Sequence, residues 1–408
     1  MIRLITTLFI ISSLITPVLL FGQKITQAQY ELTESESFVR PINNWLFPTK
    51  KSIVAIEKSQ ITWLNDTGTE QFTLPENTLK IIFSKNNNYF GILSLTHVPE
   101  STNDSGIFRI EIYTADKEKL YEVQRNYYYD DSLPFVAISD FDGSLIIGQN
   151  TTGEIWFYNQ NGSLLNKVEL FKDAEYDLER TLYFDLSKDG TALAIVAGKR
   201  GASPAGSNAP HPSAEPHLFL FSLKGEELLR MPLTDFSISA TAISDSGKYI
   251  AVSSYTVDIN GNMTKRTIIL DDTGKEIGQV NLLSKLAHFS SDSKFLVLAD
   301  NRTAKAFDLT TKDISWSYNI RKTEGMIAAV DISNKGEIAE ILVANSEFKD
   351  GTFIFTHPRL KILSHDGNLL QALEMTDKEF EKPALRLSDD SKKIFIGFRD
   401  AYQIYQVK

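Results

Sequence analysis

The sequence predicts an all-β fold, a single β-propeller whose four-stranded antiparallel blades form a closed ring. Three observations predict it. An apolar strand, a serine, a short turn of Asp, Lys, Asn or Gly and a second Ile/Val/Leu-rich strand recur along the chain, with the serine at positions 84, 139, 187, 244, 290, 333 and 388. Successive serines lie 43 to 57 residues apart, near the period of a four-stranded blade. Each copy is followed by two more strands, joined by a turn whose Asn, Asp and Gly residues supply left-handed backbone angles.

The first 28 residues stand apart. One arginine precedes an apolar run from Leu4 to Phe21, and Gly22 and Ala28 follow, which is the layout of a cleaved secretory signal. A retained anchor helix is the alternative; the run is barely long enough for it, and Pro17, Ser12 and Ser13 interrupt it. Residues 29–408 are then expected to form the propeller domain in the periplasm or outside the cell, with no membrane span after cleavage. The chain has no cysteine, so its own core must supply the stability that exported proteins often take from disulfides. Thiol nucleophiles and Cys-based metal sites are excluded. A net charge of -10, spread without blocks of like charge, argues against nucleic acid as a partner. A monomer is expected.

The copies read in order as "WLFPTKKSIVAI" from Trp45, a degenerate one, then "IIFSKNNNYFGIL", "VAISDFDGSLIIG", "YFDLSKDGTALAIV", "TAISDSGKYIAV", "AHFSSDSKFLVL", "VDISNKGEIAEIL" and "LRLSDDSKKIFIG". The "DFDG" of the third resembles part of a calcium loop. Its sister turns carry "NKG", "DSG" and "DDS", which cannot all complete a cage of six or more oxygens, so Asp140 and Asp142 are expected to shape a hairpin tip and no metal is expected. The same holds for the turn at Asp258. Counting gives eight units, with seven as the alternative because the first copy is weak. The last unit ends after its third strand at Val407, and "QYELTESESFVRPI" is the expected donor of its missing outer strand.

The Ser-x-Asp-Gly hairpin resembles the WD40-like (PD40-type) repeats of exported bacterial proteins. The segment "FDLTTKDISWSYNI" at 307–320 is similar to the tail of quinoprotein-like (PQQ-like) repeats. The resemblance covers nearly the whole mature chain and implies a blade rather than an activity. No Trp-Asp dipeptide occurs, and the tryptophan-docking pattern is close only at Trp316, so no quinone or other cofactor is expected.

Turns from first to second and from third to fourth strands share one rim of a propeller, and here they are short. The opposite rim expands at 96–106, 198–217, 255–265 and 344–358, and in the blade links 125–134 and 171–180. Loops carry binding more often than scaffold does, so the expanded rim is the expected recognition face. Its candidates are Tyr127, Tyr128, Tyr129, Asp130, Asp131, Glu179 and Arg180, tyrosines offering rigid contact area with a polar tip. Four histidines (His97, His211, His217 and His357) fall there too, in segments rich in Pro and Gly that offer no rigid zinc geometry.

Aligning the innermost strands on their serines gives a second candidate site. The residue two before the serine is Ile82, Ala137, Asp185, Ala242, His288, Asp331 and Arg386, so four polar groups, Asp185, His288, Asp331 and Arg386, ring the axis. Asp331 and Arg386 lie on adjacent blades and are expected to form an ion pair, whereas Asp185 and His288 have no evident partner. A binding or scaffolding propeller engaging a protein or extracellular ligand fits the lack of any nucleophile elbow, P-loop, dinucleotide fingerprint or zinc helix. The alternative is a propeller enzyme, a lactonase-like hydrolase, a lyase or a quinoprotein, using the axial polar groups.

Overall fold

Runs of branched and aromatic residues, broken by Asn-, Asp- and Gly-rich turns, favour pairing of each segment with its sequence neighbours. The computed structural model of the chain describes residues 30–408 except 39–41, 43, 48–52, 66–67, 98–104, 129–132, 150–151, 172–182, 200–214, 234–236, 259, 350–351, 376 and 389. The signal-like segment and Tyr129, Asp130, Asp131, Glu179, Arg180 and His211 lie outside the described residues.

Seven blades are consecutive antiparallel meanders. Blade 1 comprises Asn44–Leu46, Ile53–Ile56, Gln60–Asn65 and Gly68–Thr73, so the degenerate first copy is a true blade. Blades 2 to 7 begin with the inner strands Thr78–Phe83, Phe135–Ile138, Tyr183–Leu186, Ser237–Ile243, Leu286–Phe289 and Met326–Ile332. Blade 8 takes three strands from the C-terminus, Ala384–Leu387, Lys393–Gly397 and Ala401–Val407, and its outer strand, Tyr30–Ser37, from the N-terminus. The count is eight.

An apolar cluster fills each of the eight interfaces between neighbouring blades. The one between blades 8 and 1 contains Trp45, Ile53, Ala384 and Tyr402, and the one between blades 7 and 8 contains Leu342, Leu360, Ile394 and Tyr405. Second strands are accordingly buried on both faces: Ile53–Ile56 and Leu145–Gln149 are buried at every position. Outer strands such as Leu164–Glu169 stay largely exposed.

The repeated serine has a mechanical role that explains its recurrence. Its Oγ accepts the backbone N–H five residues on, closing the tight turn, at Ser84, Ser187, Ser244, Ser290, Ser333 and Ser388, over 2.9–3.1 Å. Where an aspartate follows two residues later, the hydroxyl also donates to it, as Ser187 does to Asp189 and Ser388 to Asp390. The "DFDG" carboxylates are engaged in the same manner. Asp142 accepts from the N–H and hydroxyl of Ser144, and Asp140 accepts the N–H of Asn86 from blade 2 at 2.8 Å, tying two blades together.

Turn glycines complete the inter-blade fit. Gly367 adopts φ 77° in a turn of blade 7, and a Cβ there would lie 2.5 Å from the Cβ of Trp316 on blade 6. Trp316 thus docks beneath the next blade's turn as a core residue.

Closure rests on Tyr30. It is 2% exposed, donates its hydroxyl to the Ser391 carbonyl at 2.6 Å, and has its backbone N–H and C=O bracketed by the Gln371 amide of blade 7, each at 2.8 Å. Tyr30→Ala leaves a cavity in the 7/8 cluster and frees the terminal strand, so it should destabilise the protein by about 3–5 kcal/mol. Urea unfolding checks this; a loss within about 0.5 kcal/mol, typical of a surface change, would contradict the closure role.

Candidate functional site

Inner strands run toward the tight-turn rim and converge there on the axis. Around their ends lies a cavity of about 290 Å³. Asp185, His288, Asp331 and Arg386, four side chains separated by up to 201 positions in sequence but aligned in the repeat, all line it. Lys85, Lys188 and Asp245 join them. These three follow the aligned serines directly, so shifting the alignment from two before the serine to one after it would have found them.

The expected ion pair between Asp331 and Arg386 is replaced by another. His288 Nδ1 lies 2.7 Å from Asp331 Oδ1, and the guanidinium of Arg386 makes no ion pair among the described residues. Strand alternation explains this. Leu286, two before His288, packs in the cluster between blades 6 and 7, so His288 faces blade 7. Ala384, two before Arg386, packs in the cluster between blades 8 and 1, whereas Leu385 and Leu387 face blade 7. Arg386 therefore carries the parity of the far face.

The second correction concerns Asp185 and His288, which do have partners. Asp185 accepts the N–H of Ile243 on blade 5 at 2.9 Å and pairs with Lys85 of blade 2 at 2.8 Å. Asp331 accepts the N–H of Leu387 on blade 8 at 2.8 Å in the equivalent way. In both, an aspartate two before its serine holds the N–H one before the next blade's serine. These carboxylates latch inner strands to each other, with charge-assisted bonds where the sheet itself supplies none. Lys188 and Asp245 add a wider contact across the 4/5 boundary, at 3.6 Å.

The electrostatics follow from burial. Burial pushes the Asp331 carboxyl upward, but His288, Arg386 and the Leu387 N–H outweigh it and hold the group below the ordinary aspartate range. Its stabilising contribution is thus present above the unfolded value and is lost as pH falls through the folded one. Glu340, its cross-strand neighbour, behaves oppositely. Both of its carboxyl oxygens are buried without a hydrogen-bond partner, and burial, then the charge of Asp331, raise it well above the usual range against the weaker pull of Arg386. Glu340 interrupts an otherwise apolar second strand, "EIAEILV", and that interruption is its only mark in the sequence.

On the opposite rim, Tyr127 and Tyr128 are the last residues of the outer strand Lys119–Tyr128, paired with Gly106 and Ser105, rather than part of a free link. His217 lies within the strand Glu215–Phe221 against Phe171 and Phe219. The 344–358 insertion is not a loop but the end of a long hairpin, Ile338–Lys349 with Thr352–Ser364, whose base is flanked by Glu379–Phe380. At its tip Phe348 and Phe353, 69% and 58% exposed, stack edge to face at 5.1 Å. Among the described residues no cluster of His, Asp and Glu has the arrangement of a metal site, and no helix is long and apolar enough to cross a membrane.

No family model and no curated protein matches the chain. Solved structures do. The C-terminal WD40 domain of Sif2 is similar over 93% of this chain and 99% of its own, with a TM-score of 0.55 at 12% identity. The Dos1 propeller is similar over 92% and 95%, at 0.54 and 13%. A eukaryotic initiation factor is similar over 85% and 91%, at 0.51 and 12%. The chain has the WD40-like propeller fold. At such identities the likeness speaks for the fold alone.

The Glu340 environment yields a pH prediction. The folded state keeps this proton above pH ~4.5, where the unfolded chain releases it, so the contribution of this group to stability falls as pH rises. Glu340→Gln, neutral at every pH, should match wild type near pH 4 and gain on it by about 1.4 kcal/mol per pH unit while the folded carboxyl stays protonated. Chemical denaturation from pH 4 to 8 checks this, and a difference independent of pH would contradict it.

Proposed function

We propose that the chain is an exported, non-enzymatic binding propeller that engages a protein partner through its expanded rim. The observation that carries this reading is the aromatic tip of the blade 7 hairpin. Two phenylalanines held face to edge in water, on a hairpin continued well beyond its blade, have no folding role comparable to the buried strands below them. Exposed aromatic groups on a rigid support are the residue type that dominates binding energy at protein interfaces. Propellers commonly serve as protein-interaction scaffolds. Export is supported by the signal-like N-terminus, and the eight apolar interfaces supply the stability that a chain without disulfides needs outside the cytoplasm.

The enzyme reading has one observation in its favour, the His288–Asp331 pair opening onto the axial cavity. Two features weigh against it. Asp331 is engaged by two backbone N–H groups, its own neighbour Ile332 and Leu387, as a structural latch would be. No side-chain hydroxyl hydrogen-bonds to the other His288 nitrogen among the described residues, so the pair lacks the arrangement of a Ser–His–Asp triad.

The two rims can be told apart directly. A photo-crosslinking amino acid at Phe348, introduced into the protein in its native host, should capture a discrete protein species from outside the cytoplasm. The same group at Phe141, 80% exposed on the tight-turn rim, should capture none. Equal labelling at both positions, or none at Phe348, would contradict the assignment.

A further inference from the structure

The axial cavity has a charge pattern that the latching roles do not account for. Of its lining cations, Lys85 is paired with Asp185 and Lys188 with Asp245, each across blades. Asp331 has both oxygens engaged, Oδ1 by His288 and the Ile332 N–H and Oδ2 by the Leu387 N–H. Arg386 remains. Its guanidinium lines the cavity with no carboxylate at ion-pairing distance among the described residues. Its charge acts on Asp331 and Glu340 only at longer range, and Glu340 sits inside the sheet with both oxygens sealed from solvent. His288 presents a second opportunity, for its ring is 43% exposed and its Nε2 bonds no protein atom among the described residues.

We propose that this cavity binds a small organic carboxylate, with the Arg386 fork on the carboxylate and His288 Nε2, the ring nitrogen left as acceptor once Nδ1–H donates to Asp331, taking a hydrogen bond from a hydroxyl of the ligand. The reasons are chemical. A guanidinium presents its donors in a planar fork that matches a carboxylate bidentately, and in a walled cavity that pairing is stronger than in open water. At about 290 Å³ the space is at the small end for ligand sites, enough for a metabolite of modest size and too small for a nucleotide or a folded segment. Three acids, Asp185, Asp245 and Asp331, stand beside three cations, Lys85, Lys188 and Arg386, around the same volume, so a ligand with one negative charge and otherwise neutral, hydrogen-bonding substituents suits it better than a polyanion. The site opens on the tight-turn rim, opposite the aromatic hairpin, so ligand and protein partner can occupy the molecule together.

Isothermal titration calorimetry of the full mature protein tests this, with lactate, pyruvate and gluconate as monocarboxylate probes, citrate as polyanion, inorganic phosphate as the alternative oxyanion, and chloride-matched buffer. At about 10 mM probe a site of millimolar affinity is filled. At least one monocarboxylate should bind at a stoichiometry of one and more tightly than citrate or phosphate. Arg386→Gln should weaken it at least tenfold. Because that change also removes a charge near Asp331, Arg386→Lys is the second variant: it keeps the charge and loses the fork, and should weaken binding at least tenfold with thermal unfolding within a few degrees of wild type. His288→Gln should weaken it less. No binding by any monocarboxylate, tighter binding of phosphate or citrate, or unchanged affinity in the Arg386→Lys variant would each overturn the proposal. Loss of the Phe348 crosslink leaves this result untouched, so the two readings fail separately.

Discussion

Every blade of this protein is covered on both faces by its neighbours, and that reciprocal burial is the constraint from which the other features follow. No single core exists; there are eight, one at each interface, and the eighth forms only when the N-terminal strand meets the C-terminal one. A ring of this kind has no free sheet edge at its seam, which is how an all-β chain avoids edge-to-edge association. It also explains why glycines with positive φ recur beneath the aromatic residues of the adjacent blade: a side chain there would push two blades apart.

The polar axis is a consequence of the same geometry. Inner strands of neighbouring blades belong to separate sheets and do not pair with each other, so the N–H groups on their free edges need acceptors from elsewhere. Asp185 and Asp331 supply them across a blade boundary. The latches bring carboxylates into a concave space, and the cations that accompany them give the space its charge pattern. Arg386, displaced from the obvious partner by the alternation of its strand, is the group whose hydrogen-bond donors a ligand best completes.

Much of this was legible in the chain because one residue type does one job repeatedly. The serine that closes each inner hairpin marks position along the axis, so the alignment found four of the polar side chains that line the cavity and left out Lys85, Lys188 and Asp245. It gave their height and not their lateral direction, and so paired Asp331 with Arg386 where the structure pairs it with His288. Applying the two-residue alternation to Leu286 and Ala384 would have supplied the missing direction. Glu340 was missed because a single acid in an apolar strand reads as a slightly polar strand, and only its depth makes it consequential. The blade 7 hairpin was read as a loop from its charges and glycine. Cross-strand pairing of Phe348 with Phe353 and support from Glu379–Phe380 keep it extended instead.

The central claim is that closure through the N-terminal strand holds all eight interfaces, so that the ring opens as a unit. Hydrogen–deuterium exchange of the protein lacking residues 29–38, compared with the intact mature chain, measures this most directly. The account predicts faster exchange in the second strands of every blade, including Leu145–Gln149 and Phe295–Ala299 on the far side of the ring. Faster exchange confined to blades 7 and 8, with the far blades protected as before, would contradict it.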